Sequence, residues 1–542
     1  MPMRGGTKAC DGSESTPSQP SYPSADPSPS MVYPMRRPDG HRPSWDITNA
    51  PGPLSVPSEF SGLGTYIDST NPFDRVIRRE LLNHLIHIYF EYMFWLMPYP
   101  HQPTMQRDLA NRREEEPGQE TFIAMVFSIL GMVCVMPTHL TPLSPDQTSS
   151  LMAICEEQIM SYLSKREGVV LSHQRLFVAQ CGAVICLCAG SPAKCRELIG
   201  SNMFIALQLN LDREATYATF DPLEAELWRR MWWLTYANDR SGATCEGARP
   251  ILNEALCHSV RLPSCLTDEQ LELAAQGLGS WQADPTIQSP MWGFYYCSAV
   301  WRVAGKVLTM REHDEAIAPK ATEILSRVAE LDMVIEELDD IFLDCPSWLM
   351  LTLDYNINSP ESARASLNAS TPSELSPLKQ GIGVQQSNLW ITQLAIRLVA
   401  VQHRKALLDL RWATPEAAAL IASDPRNPDV VPRRAGFREA KLQENENKFR
   451  EDRDHILTSL LRVLQALPMH QIACNAFPGL QKIRYIASTL LSDFDGLSTP
   501  SVDADEASRR SFKALTYLQE YIDYLARLEA MYAERAKGDT KM

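Results

Sequence analysis

The sequence predicts an all-α protein: a large multi-helical body behind a disordered N-terminal tail rich in Pro and Ser. Three observations predict it. Apolar residues recur at three- and four-residue spacing from residue 73 almost to the end, the period of one helix face. No series of alternating five-residue runs separated by hairpin turns interrupts that pattern. With 542 residues, 44% of them hydrophobic, the chain can bury a sizeable core.

Residues 1–65 form the expected tail. The first sixty hold twelve of the 38 prolines and ten serines, with too few apolar side chains to offset the entropy of ordering a backbone. From Pro72 the pattern changes. Ile77, Leu81, Leu82, Leu85, Ile88, Tyr89 and Tyr92 line one face of a helix over 73–97, which Pro98, Pro100 and Pro103 end. Helices over 119–136 and 172–189 contain the two most apolar stretches, Phe122–Met136 and Leu176–Ala189. Both fall short of the roughly 20 residues that cross a bilayer, so they read as buried helices and the chain as one without a membrane partner. Periodicity alone places further helices over 146–166, 192–209, 221–243 and 290–311.

A helix over 317–343 carries the stripe Ile324, Leu325, Val328, Leu331, Ile335, Leu338 and Phe342 among carboxylates. Its stretch Glu330–Asp344 also has the alternation of an acidic activation segment, but the continuous stripe favours a core amphipathic helix. Helices over 386–411, 435–466, 474–492 and 504–536 complete the body. Glu439–Asp454 is a charge-dense, solvated stretch. In the last helix Phe512, Leu515, Leu518, Ile522, Leu525 and Leu528 have near-heptad spacing, suited to the body or to a second copy. Breaks fall near 138–147, 356–385, 413–433 and 493–503. The expected organisation is a tail over 1–65, a body over 70–355, a flexible insertion over 356–385, and a C-terminal helical part over 386–542 packed on the same body.

With 51 Lys and Arg against 66 Asp and Glu, the net charge is −15. Affinity for nucleic acid comes largely from cations displacing condensed counterions, so DNA would need a dedicated basic module. The thirteen cysteines are scattered rather than framed for disulfides, which suits a reducing compartment. Cys181, Cys186, Cys188 and Cys195 are separated by five, two and seven residues, unlike the paired spacing of structural zinc sites, and read as core thiols. For His84 and His87 no nearby carboxylate or thiol completes a convincing ligand set.

Four segments, in order, carry a resemblance. Leu82–Met105 contains a Tyr-Phe pair and then His101, Pro103 and Thr104 in the pattern Pro-x-x-His-x-Pro-Thr. Ala206–Arg213 reads ALQLNLDR, with Asn210 an irregular fit. Leu227–Pro263 contains Arg229, Arg230, Trp232, Trp233, Asp239, Arg240, Arg249, Pro250, Leu262 and Pro263. Ala400–Leu408 includes His403 and Arg404. Together they resemble the middle regulatory domain of fungal binuclear-zinc-cluster transcription factors, in which Arg and Phe usually stand at the positions of Gln102 and Met105. These residues read as packing rather than chemistry. Adjacent side chains on a helix diverge by about 100°, so Trp232 and Trp233 would meet different neighbours, while Asp239 and Arg240 would pair with Arg229, Arg230 or other charges and set how the next loop leaves the helix.

The resemblance implies a nuclear, non-catalytic transcription regulator. Its partners would be other transcription factors, coactivators, a small-molecule effector or a second copy. Members normally begin with six cysteines that clamp two zinc ions; here Lys8-Ala9-Cys10-Asp11 resembles that start, but Ser13 stands where the second thiolate belongs. A serine hydroxyl is a poor zinc ligand beside a thiolate, and residues 1–65 carry only five Lys or Arg against six acids. No cofactor is therefore expected in the chain as written, and zinc only if a lost cluster were restored. Two explanations stay open: a regulator without its DNA reader, reaching DNA through a partner, or a sequence shortened just after Asp11. Control of a dedicated gene set, of the secondary-metabolite kind, would follow by analogy. Two other classes compete. A magnesium-dependent terpene-synthase-like enzyme would use Asp339, Asp340 and Asp344 with Asn238, Asp239 and Glu246, but Leu343 and Gly242 stand where ligands belong and the motifs run in the wrong order. A helical scaffold without a transcriptional role is the third reading.

Overall fold

Many helix starts are written into the chain as capping residues. Ser144, Ser172, Asp221 and Thr267 each accept backbone N–H groups of the turn that follows, and Gln147 and Gln270 return the bond to close two capping boxes. Proline begins or nearly begins α2, α4, α6 and α8, where its missing N–H costs nothing. The computed structural model describes residues 70–165, 171–257, 259–351, 376–413, 431–491 and 504–533. Among them are seventeen α-helices and no strand.

In chain order these are α1 Arg79–Ile88, α2 Gln102–Ala110, α3 Glu120–Cys134, α4 Pro145–Ser164, α5 His173–Cys188, α6 Pro192–Gln208, α7 Glu214–Tyr217, α8 Pro222–Cys245, α9 Glu254–Cys257 and α10 Asp268–Ala275. There follow α11 Met291–Ala316, α12 Ile324–Leu343, α13 Pro377–Ala413, α14 Val431–Ala466, α15 Met469–Ala473, α16 Ala476–Ser488 and α17 Ala504–Ala533. A π-helical turn, Tyr89–Met93, extends α1.

The helices stack by neighbour. α3 packs on α4 and α5, α5 on α6 and α8, α8 on α11, and α11 on α12 and α13, which also receives α14 and α16. Two apolar clusters result. One gathers Leu82, Tyr89, Phe127, Phe177, Trp232 and Trp301 from α1 to α11; the other gathers Leu308, Leu398, Leu460 and Ile483 from the later helices. α13 serves both. Leu389 and Ile396 enter the first cluster, and Ile391, Leu394, Leu398 and Val401 the second, because seven-residue and three- or four-residue steps put the two sets on opposite faces. Each fully buried Leu or Ile contributes about 1.5–3 kcal/mol.

Several elements differ from the sequence reading. The expected helix over 73–97 begins only at Arg79, because Asn71 caps the turn ahead of it by accepting the N–H groups of Phe73 and Asp74. The short helices α2, α7, α9, α10 and α15 were not expected; their few turns are too short to show a stripe. The helix expected over 474–492 begins at Ala476, whose φ of 47° is left-handed and turns the chain out of α15, and it ends in a 3-10 turn over Thr489–Leu491. α13 begins nine residues before the expected 386, inside the segment assigned to an insertion. Its polar first turns misled: Gln380, Gly381, Gly383 and Gln385 are buried, the glycines giving room to Trp95 and Gln471. The rest of the insertion to residue 375, and the tail over 1–65 with Cys10 and Ser13, lie outside the described residues.

Candidate functional site

The family-motif residues converge on α8, whose start Asp221 caps and Pro222 shapes. Arg230 is the first centre. Its fully buried guanidinium donates to Asp268 Oδ1 at 2.6 Å, Pro98 O at 3.1 Å and Leu266 O at 3.2 Å. The other oxygen of Asp268 accepts the Gln102 N–H at 2.6 Å. His101, the residue before α2, bonds Thr104 Oγ1 through Nδ1 and Asp268 O through Nε2, and Pro103 sits in the first turn. The Pro-x-x-His-x-Pro-Thr pattern is thus the docking of one helix start upon another, with Arg230 beneath.

Arg229 points elsewhere. It donates to Glu226 at 3.1 Å and Glu214 at 2.9 Å and lies 4.5 Å from the Tyr217 ring centre. Glu226 in turn accepts the Ser264 N–H at 2.6 Å. Burial pushes the Glu226 carboxyl up, against the two arginines that hold it charged.

The second centre is Asp239 with Arg240. Asp239 accepts the N–H groups of Ile251 and Leu252 at 2.8 and 3.0 Å and Arg240 Nη1 at 2.7 Å. Of the partners expected for Asp239 and Arg240, Arg229 and Arg230 are not used, because they take Glu214, Glu226 and Asp268; other charges are, Asp239 pairing with Arg240 and Arg240 with Glu254. Arg240 also reaches Leu252 O and Glu254, which accepts the Tyr236 hydroxyl. Gly305 of α11 is required at this spot: a Cβ there would lie 2.0 Å from Glu254 Oε2 and 2.1 Å from the Tyr236 hydroxyl. Arg249 stays at the surface and Pro250 is half-buried; they lead the chain into the backbone amides that Asp239 holds.

Trp232 and Trp233 diverge as helix geometry requires. Trp233 donates to Arg261 O at 2.8 Å and stacks under the Arg302 guanidinium at 5.2 Å, whereas Trp232 is buried whole in the apolar cluster. Asn210 accounts for its irregular fit: its φ of 54° is the left-handed value that ends α6, a conformation that Asn tolerates better than most residues. His403 and Arg404, on α13, join different partners. His403 Nε2 meets Asp314 at 3.0 Å, and Arg404 pairs with Asp332 and Asp452. Burial lowers the His403 pKa more than Asp314 raises it.

Sequence reasoning missed Asp268, Glu226, Glu214 and Glu254, the acids that complete these knots. Thr267-Asp268-Glu269-Gln270 is a capping-box pattern and could have marked α10. It also missed Lys482 of α16, a buried lysine bonded to Thr392 Oγ1 at 2.8 Å and lying 5.1 Å from the Trp301 ring centre; burial lowers its pKa. Cys181, Cys186 and Cys195 are buried with their thiols pushed up, Cys195 to about 11, by burial. Among the described residues no group of three or more His, Cys, Asp or Glu is placed to hold a metal ion. Asp239 spends both oxygens inside its knot and Asp339 pairs with Arg397, so these two acids of the terpene-synthase reading are engaged in holding helices.

The arrangement is a framework. Arg229, Arg230 and Arg240 are matched by acids or carbonyls that tie loops to α8. Residues 86–282, the stretch containing both α8 centres, match the family model described as fungal specific transcription factor domain. Over that stretch the chain is similar to the fungal transcription factor family. No curated protein and no solved structure matches the chain. The fungal transcription factor domain is a regulatory one, and here its recognisable residues are those that fix the ends of α2, α8 and α10. His403 and Arg404 lie beyond the matched stretch. No described helix is long and apolar enough to cross a membrane.

Proposed function

We propose that the protein works in the nucleus as a transcription regulator of a dedicated gene set, of the secondary-metabolite kind, through its helical body. The observation that carries the regulatory role is the match of residues 86–282 to the fungal transcription factor domain, with its motif residues built into buried knots. A charge of −15 repels phosphate, which supports a body that acts by contacting other transcription factors, coactivators or a second copy, with a small-molecule effector as modulator. DNA targeting would come from a zinc cluster or from a partner. The body itself calls for no cofactor.

Two experiments test this. The full chain tethered to a foreign DNA-binding domain should change expression of a reporter carrying that domain's site, and a chain with Arg230→Met and Asp239→Asn should not. Deleting the gene should alter one coherent set of transcripts. An unchanged transcriptome together with a silent reporter would overturn the proposal.

A further inference from the structure

The solvent face of α12 has an unusual composition. At about 100° per residue, positions 325, 329, 333, 336, 340 and 343 fall within about 80° of one another. They are Leu325, Ala329, Met333, Glu336, Asp340 and Leu343, all exposed; Leu325 is 49% exposed, Met333 61% and Leu343 81%. The helix does not need them for its own packing, which Ile324, Leu331, Ile335 and Leu338 supply from the opposite side.

The carboxylates of α12 divide in the same way. Glu330 pairs with Arg327, Asp332 with Arg404, Glu337 with Lys306 and Asp339 with Arg397. Glu336 and Asp340, the two on the apolar stripe, have no cation among the described residues. Where α12 meets its own neighbours its acids are matched; where it meets solvent, large apolar side chains alternate with unmatched acids.

We propose that this face docks a basic amphipathic helix of another protein, its apolar residues on Leu325, Met333 and Leu343 and its lysines or arginines on Glu336 and Asp340. A helix laid along such a stripe reads anchors spaced three, four and seven residues apart, and Met adapts to the shape of the anchor it meets. The proposal goes beyond the transcriptional reading and stands without it, because it concerns binding by the purified chain.

The test uses the full chain and a fluorescent, short amphipathic helix built only of Leu and Lys, followed by anisotropy at physiological ionic strength. Met333→Ser with Leu343→Ser should weaken binding about tenfold or more. Glu336→Lys with Asp340→Lys should do the same and should transfer binding to the matching helix of Leu and Glu. Exposed acids elsewhere provide the control: Glu439→Lys with Glu451→Lys on α14 should change affinity less than about twofold, because general acidity acts weakly through salt. All these positions are exposed, and unchanged melting curves verify folding. Equal weakening by the α14 pair, or binding that survives both α12 pairs, would overturn the proposal.

Discussion

Replacing Arg230 by Met removes the cation at the first centre while keeping much of its volume. The guanidinium is 0% exposed and Asp268 is 2% exposed, so neither charge can be handed to water. Breaking a buried pair by deleting one partner costs about 3–5 kcal/mol, mostly the penalty of the orphaned charge. Asp268 keeps one donor, the Gln102 N–H, while Pro98 O and Leu266 O each lose a bond worth about 1 kcal/mol. We expect a loss of about 4 kcal/mol. Unfolding entropy near 2.1 cal/mol/K per residue gives a body of about 400 residues roughly 0.9 kcal/mol/K, so the melting midpoint should fall by about 4–5 °C. Circular dichroism at the helix band, in heat and in urea, reads this directly. Asp268→Asn supplies the decisive arm: with Arg230→Met it should recover about 2 kcal/mol relative to the sum of the single changes, because the buried charge is gone. Strict additivity, or a loss below about 1 kcal/mol for Arg230→Met, would refute the reasoning.

Lys482 should behave in the opposite sense. Its amine has a hydroxyl and a ring for neighbours rather than a carboxylate, so Lys482→Met should raise stability by about 1–3 kcal/mol at neutral pH. Its folded pKa is lowered, so between that lowered value and the unfolded value of about 10.4 the unfolded chain binds the extra proton, and the gain should shrink as pH rises toward about 10.4. His173 and His470 are lowered to about 4 by burial. The stability that their neutral forms allow is complete above about 6.5 and is lost as pH falls toward 4; His470→Gln or His173→Gln should each remove about one proton from the pH dependence of urea unfolding. Gly305→Ala pits propensity against packing. Helix propensity alone would favour Ala by up to about 1 kcal/mol, but the clash with Glu254 and Tyr236 should give a net loss of about 1–3 kcal/mol in the melting curve.

Helix class and most long helices were legible in the sequence because buried stripes repeat over several turns, as in Leu81, Leu82, Leu85 and Ile88. α13 was legible only from its apolar middle. Its first turns pack by glycine and glutamine, which hydropathy reads as solvent. At the centres the cations were visible as motif residues, but their partners were not. Asp268 is 38 residues from Arg230, and a lone acid at such a distance looks like any other on a surface helix. The pairing depends on where loops return, which periodicity does not encode. Glu254 and Asp239 show the same limit: a four-residue helix, α9, brings the acid back to Arg240.

The two-sided helix α13 bears on what can be separated from what. The stretch recognisable by its residues, 86–282, shares its apolar interior with Phe294, Trp301, Val384, Leu389 and Ile396. The unit that can be recognised is therefore smaller than the unit that must fold. A cut at either edge of the recognisable stretch would expose the seam rather than free a module, so expression boundaries belong outside α1 and α17, and a stop codon ahead of α13 should remove the early half of the body along with the late one.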